Sequence, residues 1–143
     1  MSKNEEYQIV SVDKPDQIPW AVIGGGITEY NEEKAGDDTS QRVCFVLQSP
    51  DEEAVGGVIG AIYWDWFSLD LMWIREEFRG RGYGHRLLTL AEDEARKRGA
   101  KYVHLDTFSF QAPDFYAQHG YEVFGALEDF PAGHQRYYMT KQL

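Results

Sequence analysis

The stretch Ile74-Arg75-Glu76-Glu77-Phe78-Arg79-Gly80-Arg81-Gly82-Tyr83-Gly84-His85 joins a predicted strand to the most regularly patterned helix of the chain. Its second half places a glycine at every other position, directly before the helix. Such a turn favours anion binding, because the first amides of a helix have no partner within it, the positive end of the helix dipole points outward, and glycine lets the backbone approach phosphate oxygens. Ordinary turns also collect glycines, so the spacing alone explains a plain loop equally well.

Two other phosphate-binding motifs do not fit this stretch. It lacks the Lys-Ser/Thr pair of a P-loop, and it lacks the complete Gly-x-Gly-x-x-Gly pattern followed by an acidic residue that binds a ribose. The sequence therefore points away from NTPases and from dinucleotide-dependent dehydrogenases.

The helix after the glycine turn is predicted from its apolar period. Leu87, Leu88, Ala91 and Ala95 recur at helical spacing and share one face, while several charged side chains lie off this face. Gly99 ends the helix, because glycine readily adopts the left-handed conformation that commonly follows a helix.

Further elements are predicted on both sides of this helix. Upstream, the sequence predicts a strand at 7–12, a helix around 23–30, a hairpin made of 42–49 and an apolar run that continues to 67, and a fourth strand at 69–74. Downstream, it predicts a fifth strand at 102–108, a short helix at 113–120, and strands at 121–127 and 135–142. The order β-α-β-β-β-α-β-α-β-β implies a single domain over residues 1–143, an α/β mixed sheet with helices on its faces.

The composition restricts the partners of the chain. Its 24 acidic and 14 basic side chains give a net charge of −10, which disfavours nucleic acid, although eight of the basic residues fall between positions 75 and 101. Cys44 is the single cysteine, no secretory leader is visible, and the longest apolar run, 58–64, is far shorter than the roughly 20 residues that cross a bilayer. We therefore expect a cytoplasmic protein without a disulfide and without a membrane partner.

Two segments resemble one enzyme family. Arg79-Gly80-Arg81-Gly82-Tyr83-Gly84 matches the Arg/Gln-x-x-Gly-x-Gly/Ala motif with which GCN5-related N-acetyltransferases hold the pyrophosphate of coenzyme A, and Ile74 stands where that family keeps an aliphatic residue. Residues 107–121 are similar to the family's Asn-x-x-Ala-x-x-Phe-Tyr-x-x-x-Gly-Phe segment, with Tyr121 in place of the final Phe. The resemblance covers nearly the whole chain except positions 13–41.

The resemblance implies a fold and a reaction. The fold would be a mostly antiparallel central sheet with splayed strands four and five, flanked by helices. The reaction would move an acetyl group directly from acetyl-CoA, the co-substrate, to a primary amine of a small molecule or peptide. A homodimer is compatible with this fold. A non-catalytic acyl-CoA-binding module, or a structural domain with a glycine turn that binds nothing, would retain much of the same pattern.

The resemblance also implies which residues contact the coenzyme. Backbone N–H groups near Trp73 or Ile74 would stabilise the oxyanion of the reaction. Ser109 stands where the family's asparagine is common, so Gln111 is an alternative for the contact to the pantetheine arm. The full set is Met72, Trp73, Ile74, Arg79, Gly80, Arg81, Gly82, Tyr83, Gly84, His85, Thr107, Ser109 and Gln111.

Catalysis needs an acid for the departing thiolate and a base for the amine. Tyr116 occupies the family's general-acid position, with packing in the core as its alternative role. For the base, Asp70 is expected to share a strand face with Met72 and Ile74, Glu29 lies in an acidic stretch, and a water relay is equally suitable. No histidine pair has the spacing of metal ligands, so no metal is expected. Trp64, Trp66, Phe67 and Trp73 are expected in the core, or in part beside the acceptor, where they would suit a cationic or aromatic amine.

Overall fold

The computed structural model describes residues 6–143 in two compact units, which divide between Asp37 and Asp38. The first unit contains a 3-10 turn at Pro15–Gln17 and helix α1 at Trp20–Ala35, which ends at Gly36. The helix predicted around residues 23–30 is therefore present and longer than expected. Its three consecutive glycines lie inside it, and none of its residues is buried.

The strand predicted at 7–12 is wrong. Residues 6–13 carry no regular secondary structure, and none of the six strands in the described part of the chain pairs with them. A strand needs a neighbour for its backbone N–H and C=O groups, and a period-two pattern in the sequence does not supply one.

The second unit is a six-stranded mixed sheet with two helices. Its elements are β1 (Gln41–Gln48), β2 (Ala54–Tyr63), β3 (Trp66–Ile74), α2 (Tyr83–Lys97), β4 (Tyr102–Phe108), α3 (Pro113–Gln118), β5 (Glu122–Glu128) and β6 (Gln135–Gln142). The strand order is β1-β2-β3-β4-β6-β5, and only β3 and β4 pair in parallel. The predicted mixed, mostly antiparallel sheet is confirmed, with β3 and β4 as the predicted strands four and five.

The turn before β3 lies earlier than predicted. The strand predicted from the apolar run does not continue to residue 67, because β2 ends at Tyr63 and Trp64 adopts a positive φ of 52° in the turn. The chain then reverses, and β3 begins at Trp66. Aromatic residues on both sides of the turn hide this reversal from a reading of hydrophobicity alone.

One face of the sheet packs against α2. The apolar positions predicted for this helix, Leu87, Leu88, Ala91 and Ala95, are all buried. They belong to the same core cluster as side chains from five of the strands and from α3. The cluster's strand residues are Val43, Val58, Ile62, Phe67, Leu69, Val103, Leu105 and Met139.

Candidate active site

A cleft opens where β3 and β4 separate. Their parallel register has only three pairs, which end at Ser68 and His104. Beyond this point lies a cavity of about 780 Å³. It is lined by residues 69–74 of β3, 106–108 of β4, 110–112, 115 and 116 in and before α3, and by Arg79, Gly84 and Arg136. The missing β3–β4 pairing is what creates the cavity.

A β-bulge at Asp70 changes which side chains of β3 share a face. Leu69 pairs with Gly60 and Leu71 with Ile59, so Asp70 is an extra residue with no partner on β2. Leu69 is buried before the bulge, and Met72 packs against the same core after it. The prediction that Asp70 shares a face with Met72 and Ile74 is therefore wrong, because one inserted residue reverses the alternation.

Past the bulge, backbone groups of β3 point into the cleft. Arg75 N–H donates to Val55 O of β2 at 2.8 Å. Because successive residues of a strand point to opposite edges, Trp73 also faces β2, whereas Met72 and Ile74 present their N–H and C=O groups to the cleft. The structure thus favours Met72 and Ile74 over Trp73 as backbone donors for a bound substrate.

The glycine turn leaves the start of α2 open. Gly80 and Gly82 have φ values of 75° and 83°, a region that favours glycine, and a Cβ on either residue would meet nothing within 4 Å. Gly82 precedes the helix and provides no side-chain cap for its first amides. Arg79 Nε donates to Ile74 O at 2.7 Å, which fixes the turn to the end of β3. Uncapped amides beside open space have the geometry of an anion site.

The predicted coenzyme residues of this turn are adjacent in space. Arg79 and Gly84 line the cleft, and Gly80, Arg81, Gly82 and Tyr83 form the chain between them. His85 follows in the first turn of α2.

A hydrogen-bonded pair of histidines joins α2 to α3. His119 Nδ1 donates to Phe115 O, and His85 Nδ1 donates to His119 Nε2, both at 2.8 Å. The carbonyl can only accept, so the order of donors is fixed for neutral rings. His85 therefore braces the helix that carries Tyr116, whatever else it contacts.

Tyr116 is buried in the wall of the cleft. Its side chain is 7% exposed, lies in the core cluster and also lines the cavity. Burial raises the pKa of its phenol to about 12, and the negative charge of Asp106 adds to this shift. The phenol is therefore firmly protonated, as an acid must be before it donates.

The segment before α3 separates two residues that the sequence treated as alternatives. Gln111 and Thr107 line the cleft, and Gln111 Oε1 accepts from Phe108 N–H at 2.8 Å. Ser109 is instead joined to Gln135, since each residue's backbone N–H is bonded to the other. The structure brings Gln111 to the cleft and does not bring Ser109 there.

Comparisons with known proteins agree with this geometry. The model of the acetyltransferase (GNAT) family matches residues 7–121, most of the chain. The chain belongs to the GNAT family. It is 37% identical over 92 residues to the blasticidin-S acetyltransferase of Streptomyces morookaense, over 64% of this chain and 68% of that protein. It is 28% identical over 130 residues to an acetyltransferase of Agrobacterium fabrum, over 91% of this chain and 95% of that one.

A solved GNAT structure supports the same assignment. An acetyltransferase of Bacillus cereus superposes with a TM-score of 0.83 at 32% identity, over 94% of this chain and 98% of that one. The predicted acetyltransferase activity and GNAT fold are thereby confirmed.

The two carboxylates predicted as alternatives for the general base, Asp70 and Glu29, lie in different compact units of the chain. Asp70 lines the cleft, where it accepts a hydrogen bond from Ser68 Oγ at 2.6 Å and lies 3.5 Å from Arg42. Glu29 is exposed on α1 of the first unit. Both roles stay predictions.

The sequence did not single out an ion pair that the GNAT cleft contains. Asp106 and Arg136 both line it; Arg136 Nε donates to Asp106 Oδ1 at 2.9 Å, and Nη2 of the same guanidinium forms an ion pair with this oxygen at 2.7 Å. Phe108 and Phe110 stand beside them in the lining, with nearly parallel rings. The partner of Asp106 comes from β6, 30 residues away, so no local pattern in the sequence marks the pair.

Two further features bear on the expected partners of this GNAT protein. Within residues 6–143, no group of three or more His, Cys, Asp or Glu side chains is arranged to hold a metal ion. The helices of the same range include none that is both long and apolar enough to span a membrane.

Proposed function

We propose that the protein transfers the acetyl group of acetyl-CoA to a primary amine of a small molecule, by direct attack of the amine. One observation carries the proposal: a single cleft joins the uncapped start of α2 to the buried phenol of Tyr116. The start of α2 suits the pyrophosphate, and the phenol suits the leaving thiolate. The relative that acetylates blasticidin S makes that antibiotic the first acceptor to test.

The residues of the cleft divide the chemistry among them. The neutral amine attacks the thioester carbon, and the resulting oxyanion accepts hydrogen bonds from the Met72 or Ile74 N–H. When the carbon–sulfur bond breaks, the thiolate takes the proton of Tyr116 and leaves as free thiol. Asp70, Glu29 or a water relay removes the proton that the amine loses.

The pKa of Tyr116 sets a cost for the last proton transfer. A thiolate with a pKa near that of cysteine, about 8.5, lies well below the phenol at about 12. At roughly 1.4 kcal/mol per unit, the transfer is uphill by about 5 kcal/mol in the empty cleft. A cationic acceptor beside Asp106 reduces this cost, because it offsets the negative charge that raises the pKa.

Two measurements test the function together. Calorimetry measures acetyl-CoA binding, while thiol release and product mass are followed over a panel of blasticidin S, other small amines and peptide amino termini. Binding with turnover of small amines supports the proposal. Binding without turnover of any amine supports a non-catalytic acyl-CoA module, and turnover restricted to peptides identifies the other acceptor class. Sedimentation tests separately whether the protein forms the homodimer that the sequence leaves open.

Gly82→Asp tests the coenzyme site. Aspartate tolerates the positive φ of this position but adds a negative charge at the helix start. Acetyl-CoA affinity should therefore fall at least about tenfold. Gly133→Asp is the matched control, since Gly133 also has a φ of 83° and open space around it but does not line the cleft. Equal affinities in the two variants would remove the α2 site from the proposal.

A further inference from the structure

The ion pair of Asp106 and Arg136 leaves half of a carboxylate unused. The hydrogen bond from Arg136 Nε and the ion pair with Nη2 both reach Oδ1 of Asp106, and among residues 6–143 no group donates to Oδ2. The guanidinium lies 5.2 to 5.5 Å from the ring centres of Phe108, Phe130 and Tyr138, and its side chain is less exposed than that of Asp106, at 28% against 38%. The pair therefore presents to the cleft a carboxylate oxygen, Oδ2, to which no group of residues 6–143 donates.

The position of Asp106 along the cleft separates it from the coenzyme turn. The last β3–β4 pair joins Ser68 to His104, so the parallel register brings Asp106 level with Asp70. Ile74, to which Arg79 is bonded, lies four residues farther along β3, or about 13 Å. Asp106 thus stands near the closed end of the cleft, within electrostatic range of the Tyr116 phenol and away from the anion site.

The neighbours of Asp106 suit a cation with a flat apolar part. Asp70 is a second carboxylate in the same lining, while Arg42, beside it, is largely exposed. The rings of Phe108 and Phe110 lie 5.3 Å apart at an interplanar angle of 11°, and both line the cleft. A planar group binds well against such rings, while an ammonium finds an unpaired carboxylate oxygen beside them.

We propose that Asp106 is the specificity residue that binds the acceptor amine in its ammonium form, and that Arg136 is a positioning residue that holds this carboxylate in place. Before transfer, the base of the proposed function, which is Asp70, Glu29 or a water relay, takes one proton from the bound ammonium and leaves the neutral nucleophile. The inference rests on the proposed acetyl transfer and names its acceptor class: a primary ammonium with a planar or aromatic portion. Arg136 touches the acceptor only through Asp106.

Kinetics with a cationic aromatic amine test the role of Asp106. Asp106→Asn keeps the shape and removes the charge, so KM for the amine should rise roughly 10- to 100-fold, the value of one hydrogen bond to a charged group. The Kd for acetyl-CoA, measured by calorimetry, should change less than about twofold. A KM within twofold of the unmodified protein overturns the inference.

A double-variant cycle tests the role of Arg136. If Arg136 acts through Asp106, Arg136→Met raises KM alone but adds nothing to Asp106→Asn, and Arg136→Lys restores part of the loss. Multiplying effects in the double variant contradict the positioning role. Thermal unfolding shows whether each variant folds. If Arg136→Met does not fold, the KM of Arg136→Lys is compared with that of Asp106→Asn instead.

A binding measurement keeps this test separate from turnover. A primary ammonium compound with a phenyl ring is compared with its uncharged hydroxyl analogue by calorimetry, with free CoA and without an acetyl donor, so that neither compound is acetylated. The cation should bind at least tenfold more tightly to the unmodified protein, and Asp106→Asn should abolish the difference. Equal binding of the two compounds overturns the inference even when amines are acetylated. If the cation binds more tightly but no amine is acetylated, the proposed function is refuted and the cation-binding role of Asp106 is not.

Discussion

At the residue scale, two tyrosines five positions apart serve different ends. Tyr116 and Tyr121 are both buried, with ring centres 5.7 Å apart. Tyr121 donates to Glu92 at 2.7 Å and does not line the cleft, whereas Tyr116 lines the cleft and its hydroxyl has no hydrogen-bond partner among residues 6–143. A phenol that no protein group occupies is available to a substrate.

Tyr116→Phe should lower kcat by roughly 10²- to 10⁴-fold, because it removes the proton given to the thiolate. Acetyl-CoA affinity should persist, as measured by calorimetry. Tyr121→Phe is the control: it should cost about 1–2 kcal/mol of unfolding free energy, through the loss of a hydrogen bond to Glu92, with kcat unchanged. Similar rates for Tyr116→Phe and the unmodified enzyme would show that Tyr116 serves packing only.

The raised pKa of Tyr116 also predicts a loss of stability in alkali. Below about pH 10 the phenol is protonated in both folded and unfolded chains. Between about pH 10 and 12 the unfolded chain binds fewer protons, so the free energy of unfolding falls by up to about 1.4 kcal/mol per pH unit. Urea unfolding across this range should show a shallower decline for Tyr116→Phe, and parallel declines would contradict the shift.

At the element scale, β3 determines the site through its irregularity. The bulge at Asp70 reverses the side-chain alternation, and the loss of pairing with β4 after Ser68 frees the backbone of Met72 and Ile74. A regular strand paired along its whole length would leave no cleft. The bulge lies beside Gly60, a position of β2 where an added Cβ would overlap the backbone and a ring of β3.

Gly60→Ala should destabilise the sheet. A Cβ at this position would overlap Ser68 O and the Phe67 ring, and neither backbone nor buried ring moves freely, so we expect a loss of about 1–3 kcal/mol in urea unfolding. Gly125→Ala on β5, also beside a register shift, has nothing within 4 Å of its Cβ and should stay within about 0.5 kcal/mol of the unmodified protein or gain slightly. Equal stabilities would mean that β2 and β3 adjust freely at the bulge.

At the scale of the whole molecule, a charged network ties α2 to β6 and to the residue that precedes β5. Glu92 is buried, accepts from Tyr121, and receives Lys141 Nζ from β6 at 3.0 Å on both carboxylate oxygens. The partners are 29 and 49 residues from Glu92 in sequence. Such a network therefore joins elements that are far apart in the sequence.

Glu92→Leu should cost about 2–4 kcal/mol of unfolding free energy, because it leaves Lys141 and the Tyr121 hydroxyl without their acceptor. The double variant with Lys141→Met should recover part of this loss, since a partly buried ion pair is readily replaced by apolar side chains. Chemical unfolding measures both, and a double variant less stable than Glu92→Leu would contradict the coupling.

The sequence by itself determined the features that depend on local periodicity and on motif spacing. Residues close together in the chain were enough to predict the amphipathic face of α2, the bounds of β4 and β6 and the mixed sheet. They were also enough to predict the glycine turn and the family whose motif it matches. Leu87 and Ala91 share a face because a helix repeats every 3.6 residues, wherever the helix docks.

Only the tertiary structure decided the features that depend on partners distant in sequence. A strand at 7–12 was refuted because nothing pairs with it, and the face of Asp70 was reversed by one unpaired residue opposite β2. Asp106 became a candidate binding residue only because β-sheet pairing brings Arg136 of β6 beside it. Strand pairing and ion pairing are relations between segments, so the energy that selects them does not exist until the segments meet.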